Sequence, residues 1–119
     1  MKGLVVLAIV AAAIIVPSAS SRSESCYGGC VSLSQKAQAR HAIEATFGAY
    51  ASQAVRVASC ESGLSVRASN GQYLGLFQMG SYARSRYGHG PGPWAQSRAA
   101  FNYFAASGHD WSPWSCKPW

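Results

Sequence analysis

The sequence predicts a single small α+β domain that is mainly α-helical and carries one short β-hairpin. The chain has 119 residues, a length that supports one domain with its own core. Apolar residues recur at helical spacing in several segments, which predicts that most of the ordered chain is helix. One Asn70-Gly71 dipeptide, typical of a tight hairpin turn, lies between two short segments with apolar residues.

The helical signals define four segments with recognisable ends. Ser34 is a suitable N-cap for the first helix, Gly63 is a stop signal after the second, and Pro93 fits the first turn of the last. The predicted helices lie at 35–47, 49–60, 81–87 and 93–106. The domain is therefore expected to span residues 35–119 and to end in an aromatic tail.

The N-terminus has the pattern of a secretory signal peptide. Lys2 precedes an apolar segment at 3–16, Pro17 ends it, and small residues follow at 18–20. The apolar segment is shorter than the roughly 20 residues that a membrane span needs. We therefore expect residues 1–20 to be removed and the protein to be secreted, extracellular or cell-wall associated in a bacterium, without stable membrane insertion. An uncleaved anchor is the alternative.

The charge of the chain indicates the kind of surface that it approaches. The formal net charge is +6, so anionic cell-wall polymers, acidic lipids and nucleic acids are all attracted to it. The sequence contains no aromatic–basic stripe and no known nucleic-acid-binding motif, which argues against a nucleic-acid partner. No cofactor is predicted.

Four cysteines predict two disulfides, because the number is even and the chain is small and exported. Three pairings are possible. Cys26 and Cys30 lie in a Ser/Gly-rich arm at 21–34, where they would close a small loop on themselves. A metal site is not expected, because the cysteines and the three histidines are not clustered at ligand spacing.

Glu61 stands out among the four acidic residues. It follows Ala54, Val57 and Ala58 on one apolar helix face and lies at the end of the second predicted helix. Partial burial and the negative end of the helix dipole both disfavour the ionised carboxylate, and a general acid has to hold a proton. The alternative is an ordinary helix-end glutamate that bonds Arg56 or Arg67.

A motif around Glu61 resembles two families of cell-wall enzymes. The chain reads Cys60-Glu61-Ser62-Gly63, then Ala68-Ser69-Asn70-Gly71-Gln72-Tyr73-Leu74-Gly75-Leu76-Phe77-Gln78. This is similar to the Glu-Ser, Ala-Ser and Gly-Leu-Met-Gln segments of lytic transglycosylases, which have a lysozyme-like fold. It also resembles the Cys-Glu-Ser-Gly and Asn-Gly-Tyr-Tyr-Gly-Gly-Leu-Gln segments of resuscitation-promoting factor catalytic domains. Residues 111–116 are similar to the terminal segment of the same domains.

The resemblance implies a small lysozyme-like domain with the hairpin beside a catalytic cleft. The implied activity is cleavage of the β-1,4 bond between N-acetylmuramic acid and N-acetylglucosamine in peptidoglycan, by a monomer with Glu61 as the catalytic residue. The resemblance also implies a Cys60–Cys116 disulfide, which would leave Cys26 to pair with Cys30.

Six residues are expected to bind the glycan. Gln78 would donate its amide to a sugar, and Tyr73 would hold a sugar hydroxyl or flank the cleft. Ser69 or Asn70 takes the place of a threonine in the resuscitation-factor motif. Trp111 and Trp114 would stack on sugar faces, with ordinary core packing as an equal alternative for both.

The mechanism expected from the sequence uses one carboxylate. Glycosidases normally use two, but the only other candidates, Asp110 and Glu44, are not placed by any motif. We therefore expect the acetamido group of the substrate to stabilise the cation and Glu61 to take a proton from the sugar's 6-hydroxyl, so that an anhydro sugar forms. A hydrolase remains the alternative reaction. The alternative class is a non-catalytic, basic, disulfide-stapled protein that binds the cell wall or is antimicrobial.

Overall fold

The computed structural model describes residues 32–119, and these residues form a mainly α-helical α+β domain, as the sequence predicts. The elements are α1 Leu33–Phe47, a 3₁₀ turn Gly48–Tyr50, α2 Ala51–Ser62, β1 Ser69–Asn70, β2 Tyr73–Leu74, α3 Ser81–Tyr87 and α4 Pro93–Ala106. The predicted signal peptide and the predicted Cys26–Cys30 pair lie outside the described residues. Within 32–119, no helix combines the length and the apolar character needed to cross a membrane.

Helix α1 begins two residues earlier than predicted. Its N-cap is Ser32 and not Ser34, because Ser32 forms a reciprocal capping box with Gln35. The Gln35 N–H donates to Ser32 Oγ at 3.2 Å, and the Ser32 N–H donates to Gln35 Oε1 at 3.1 Å. Ser34 has an alanine three residues later and has no such partner.

Helix α2 continues two residues beyond its predicted end, so that Glu61 lies in its last turn. Ala54, Val57 and Ala58 are completely buried on the predicted face. Gly63 ends the helix with a φ of +63°, a left-handed conformation that costs glycine little. The apolar face of α2 therefore packs on the core, while the next turn along that face emerges at the protein surface.

The hairpin forms at the predicted place, but its turn is centred one residue later than predicted. Ser69 pairs with Leu74 and Asn70 with Tyr73, so the loop consists of Gly71 and Gln72. Gly71 adopts a φ of +61°, which favours glycine at that position of the turn. A further bridge between Leu74 and Met79 extends the hairpin back towards α3.

An aromatic cluster forms the centre of the core and fixes the C-terminal tail. Phe47 of α1 contacts Phe77 at a centroid distance of 5.5 Å and Trp111 at 5.7 Å. Trp111 also packs on Phe104 of α4 at 4.4 Å, and Trp114 packs on Phe77 at 6.3 Å. Each aromatic pair contributes about 0.5–1.5 kcal/mol beyond its buried area, so the tail is part of the core although it has no regular secondary structure.

Candidate active site

Two adjoining cavities form one groove between the hairpin and the C-terminal tail. The acid compartment has a volume of about 330 Å³ and contains Glu61, and the outer compartment has a volume of about 270 Å³ and extends to Tyr82. Both compartments are lined by Tyr73, Gln78, Pro113 and Trp114. We call residues 69–80 the hairpin wall and residues 111–118 the tail wall.

Glu61 is half-buried in the acid compartment and is held by one of its two oxygens. The backbone N–H of Cys116 donates to Oε1 at 2.9 Å. Oε2 has no hydrogen-bond partner within residues 32–119, and it is not among the buried unpartnered atoms of that range. The carboxyl group is therefore oriented by the tail wall, and its second oxygen is open to a ligand.

The structure does not pair Glu61 with the arginines that the sequence offers as alternative partners. Arg56 donates from Nη1 to the carbonyl of Pro118 at 3.2 Å, and Arg67 is exposed. Within residues 32–119, neither arginine forms a hydrogen bond with the carboxylate. The position of Glu61 is thus set by its helix and by Cys116.

Ser62 connects the helix of Glu61 to the hairpin wall. Its hydroxyl lies 2.7 Å from the carbonyl oxygen of Leu76 and 3.0 Å from that of Ala58, and it accepts from the Ser65 N–H at 3.3 Å. A serine directly after the glutamate thereby fixes the distance between the carboxylate and the opposite wall.

Gln78 lies in both compartments and has an unusual backbone conformation. Its φ is +46°, in the left-handed region that residues other than glycine rarely adopt. Its side-chain nitrogen donates to the carbonyls of Ala68 at 3.1 Å and Gly75 at 3.0 Å. Strained residues of this kind are concentrated at functional sites.

The hairpin brings two of the three other predicted residues into the groove. Tyr73 is 46% exposed and lines both compartments, and Asn70 lines the acid compartment. Ser69 lines neither compartment. Because neighbouring strand residues point to opposite faces, Asn70, and not Ser69, takes the position facing Glu61.

The two tail tryptophans have different surroundings. Trp111 is 2% exposed, lines neither compartment and donates from Nε1 to Gln53 Oε1 at 2.8 Å. Of the two alternatives for this residue, the structure therefore shows core packing. Trp114 is 4% exposed and donates to the carbonyl of Phe77 at 2.9 Å, yet it lines both compartments. Trp114 is thus a core residue with one edge in the groove.

The predicted Cys60–Cys116 disulfide is present and lies beside Glu61. It joins residues 56 positions apart with a Cα–Cα distance of 6.0 Å, and both cysteines line the acid compartment. The bond holds the α2 residue before Glu61 to the tail residue whose N–H orients the carboxylate. A covalent link and a hydrogen bond therefore fix the same contact.

The other described carboxylates lie away from the groove. Glu44 lines a separate cavity of about 660 Å³ between α1 and α2, together with Arg40 and Arg56. Asp110 is exposed and accepts from the Ser112 N–H at 2.7 Å. Over the described range, Glu61 is the only carboxylate of the groove, and no cluster of potential metal ligands occurs.

Sequence reasoning missed Gln96, a buried residue that supports the hairpin wall. Gln96 of α4 is 4% exposed and accepts from the Leu76 N–H at 2.8 Å. It donates to the carbonyls of Val66 at 3.0 Å and Gly90 at 2.8 Å. The sequence signal for such a residue is a polar amide on a helix face whose other residues are buried alanines, because a buried amide needs hydrogen-bond partners.

Similarity to known proteins does not assign a function to this groove. Comparisons of the chain with protein-family models, with characterised proteins and with solved structures each find no match. The groove therefore has to be interpreted from its own chemistry: one carboxylate with a free oxygen, an amide at a strained position and aromatic walls shared by two compartments.

Proposed function

We propose that the protein is a secreted enzyme that cleaves the β-1,4 bond between N-acetylmuramic acid and N-acetylglucosamine in peptidoglycan, with Glu61 as its general acid and base. The observation that carries the proposal is the state of the Glu61 carboxyl group. One oxygen accepts the Cys116 N–H at 2.9 Å, so the other is held in a fixed direction inside the groove. A proton donor needs this combination of orientation and access.

The shape and walls of the groove support a glycan as the ligand. Two adjoining compartments suit a chain of linked rings better than one compact molecule. Tyr73 lines both compartments and is 46% exposed, so its ring offers apolar surface to sugar faces, and Trp114 adds one edge, with polar groups beside them. Without Lys2 of the predicted signal peptide, nine Lys and Arg against four Asp and Glu leave a net charge of +5, which also favours approach to an anionic cell wall.

A single carboxylate favours a reaction without added water. Glu61 donates its proton to the glycosidic oxygen as the C1–O bond breaks, and the substrate's acetamido oxygen stabilises the positive charge at C1, as in other substrate-assisted cases. The Glu61 carboxylate then takes the proton from the 6-hydroxyl of the same sugar. The 6-oxygen bonds to C1, so a 1,6-anhydro sugar is the product.

The proposal is tested by digesting purified cell-wall sacculi with the wild type and two variants. Glu61→Gln keeps the shape and the acceptor oxygen for Cys116 but has no acidic proton. We expect it to release fragments at least about 100-fold more slowly, the usual loss when a general acid is removed. Glu44→Gln is the matched control, because Glu44 lies in the other cavity, and we expect its rate to equal that of the wild type.

Mass spectrometry of the released fragments identifies the reaction. We expect fragments with non-reducing anhydro termini, which are lighter by one water than the hydrolysis products. Reducing ends that have gained water would overturn the anhydro reaction and indicate a hydrolase. Fragment release that survives Glu61→Gln unchanged would overturn the catalytic role of Glu61. No release by the wild type would overturn the enzymatic proposal and favour a basic wall-binding or antimicrobial protein.

A further inference from the structure

The side-chain amide of Gln78 has only its oxygen left for a ligand. A glutamine amide has two N–H donors, and those of Gln78 are directed to the carbonyls of Ala68 and Gly75 at 3.1 and 3.0 Å. Exchanging the nitrogen and the oxygen would place Oε1 against two carbonyl oxygens, so the orientation of the amide is fixed. A ligand therefore meets Gln78 as an acceptor.

That oxygen is accessible and held in place before a ligand binds. Gln78 Oε1 has no hydrogen-bond partner within residues 32–119, and the single buried unpartnered side-chain atom of that range is Ser97 Oγ. Oε1 is consequently not fully buried, and Gln78 lines both compartments of the groove. Because the backbone and the amide nitrogen are both fixed, binding to Oε1 has little side-chain ordering cost.

Apolar surface lies beside this acceptor. Pro113 and Trp114 line the same two compartments as Gln78. An acceptor next to an apolar wall matches an acetamido group, which has one N–H donor and one methyl group. A sugar hydroxyl would use the acceptor but would bring no methyl group to the apolar wall. A free ammonium group would bring a charge against that wall, with a desolvation cost.

We propose that Gln78 Oε1 accepts a hydrogen bond from an acetamido N–H of the glycan and that the acetamido methyl packs against Trp114 and Pro113. The inference rests on the proposed function and adds a specificity determinant to it. It also reverses the role expected from the sequence, in which Gln78 donates to a sugar. The glycan is thereby selected by its N-acetyl groups, and strands without them bind poorly.

Binding of two synthetic trisaccharides tests the inference without any cleavage. One is the β-1,4-linked trimer of N-acetylglucosamine, and the other is the same trimer with 2-O-acetyl esters, which keep the methyl and the carbonyl but lack the N–H. We expect the wild type to bind the amide about tenfold more tightly in a calorimetric or NMR titration, the effect of one hydrogen bond of ordinary strength. Equal affinities would overturn the inference.

Two variants locate the effect at Gln78. Gln78→Lys retains N–H donors for the carbonyls of Ala68 and Gly75 but has no acceptor, so we expect its amide preference to fall to about twofold or less. Ser69→Lys introduces the same charge into the same hairpin, and Ser69 is exposed and lines neither compartment, so the preference should remain. A full preference in Gln78→Lys would show that another group binds the acetamido N–H.

Cleavage and recognition can fail separately in these experiments. If sacculi are not cleaved but the wild type prefers the amide trimer and Gln78→Lys does not, the groove recognises N-acetyl groups and the catalytic proposal is wrong. If sacculi are cleaved in a Glu61-dependent way and no preference exists, the catalytic proposal stands and the role of Gln78 is wrong. Thermal melting of each variant verifies that it is folded, and the ester and amide comparison on the wild type needs no variant.

Discussion

The two walls of the groove face each other across the same space but are held by different interactions. The hairpin wall at 69–80 contributes Phe77 to the aromatic cluster. Beyond that packing it is fixed by single polar side chains, since Gln96 and Ser62 bond the backbone N–H and carbonyl of Leu76. The tail wall at 111–118 is fixed by aromatic packing and by the Cys60–Cys116 disulfide.

The difference follows from what each wall has available. A two-stranded hairpin is at best marginally stable alone, and this one has two residues in each strand, so buried amide and hydroxyl groups from the helices complete its hydrogen bonding. The tail has no ladder at all. Instead, Lys117 Nζ donates to the carbonyl of Trp111 at 2.9 Å and to that of Trp114, and Arg56 donates to Pro118. We therefore expect the walls to respond to different substitutions.

The largest effect is expected from removing the disulfide of the tail wall. Replacing Cys60 and Cys116 together by serine removes the cross-link between residues 56 positions apart in the sequence. Because the unfolded chain then gains conformational entropy, the free energy of unfolding should fall by about 4 kcal/mol. Denaturant unfolding of the oxidised wild type and the double variant measures this difference. The double variant is preferable to a reducing agent because a reductant would also act on the predicted Cys26–Cys30 bond. A loss below about 1 kcal/mol would mean that aromatic packing alone holds the tail.

A smaller effect is expected from Gln96→Leu in the support of the hairpin wall. The substitution leaves the Leu76 N–H and the carbonyls of Val66 and Gly90 without their partner. Unpaired buried groups cost about 1–3 kcal/mol each where water cannot reach them, and we expect a total loss of about 3 kcal/mol in denaturant unfolding. Gln38→Leu on the exposed face of α1 is the matched control, and there a change within about 0.5 kcal/mol is expected. Equal losses in the two variants would contradict the supporting role of Gln96.

Ser62→Ala should weaken the link between the hairpin wall and the helix of Glu61. Loss of the bond to the Leu76 carbonyl, 2.7 Å long in the structure, is expected to lower the free energy of unfolding by about 1 kcal/mol. The control is Ser59→Ala, one turn earlier on the exposed side of α2, which should change it by less than about 0.5 kcal/mol. If Ser59→Ala proved as costly as Ser62→Ala, the loss would not be specific to the wall contact.

The parts of the fold that depend on local signals could be predicted from the sequence. The spacing of Ala54, Val57 and Ala58 placed one face of α2 in the core and Glu61 at its edge, and Asn70-Gly71 placed the hairpin within one residue. The start of α1 is also encoded locally, in the capping pair Ser32 and Gln35. The predicted N-cap, Ser34, lies nearer to the apolar residues but lacks the partner that forms a capping box.

The long-range contacts of the site could not be predicted in this way. Gln96 bonds groups 20 and 30 residues before it in the sequence, and no periodic pattern identifies such partners. The aromatic tail has no period either, so packing alone separates Trp111 in the core from Trp114 at the groove. The Cys60–Cys116 pairing came from a family resemblance, since spacing allows three pairings.

The smallest predicted effect concerns His89 and the pH dependence of the hairpin wall. Partial burial of the imidazole, and after it the positive charge of Arg84, hold the pKa of His89 below its usual value of 6.5. Arg84 also donates to the carbonyls of Gln72 and Met79 in the hairpin wall, so a proton on His89 places a second positive charge beside a group that braces the groove.

The sign of the pH effect follows from the lowered pKa of His89. The unfolded chain binds the proton more readily than the folded protein, so the contribution of neutral His89 is complete above pH 6.5 and is lost as the pH falls towards the folded-state pKa. We expect the free energy of unfolding to decrease more steeply between about pH 7.5 and about pH 5 in the wild type than in His89→Gln. Denaturant unfolding at several pH values measures both slopes. Parallel slopes would contradict this prediction, because they would show that His89 makes no pH-dependent contribution to the free energy of unfolding.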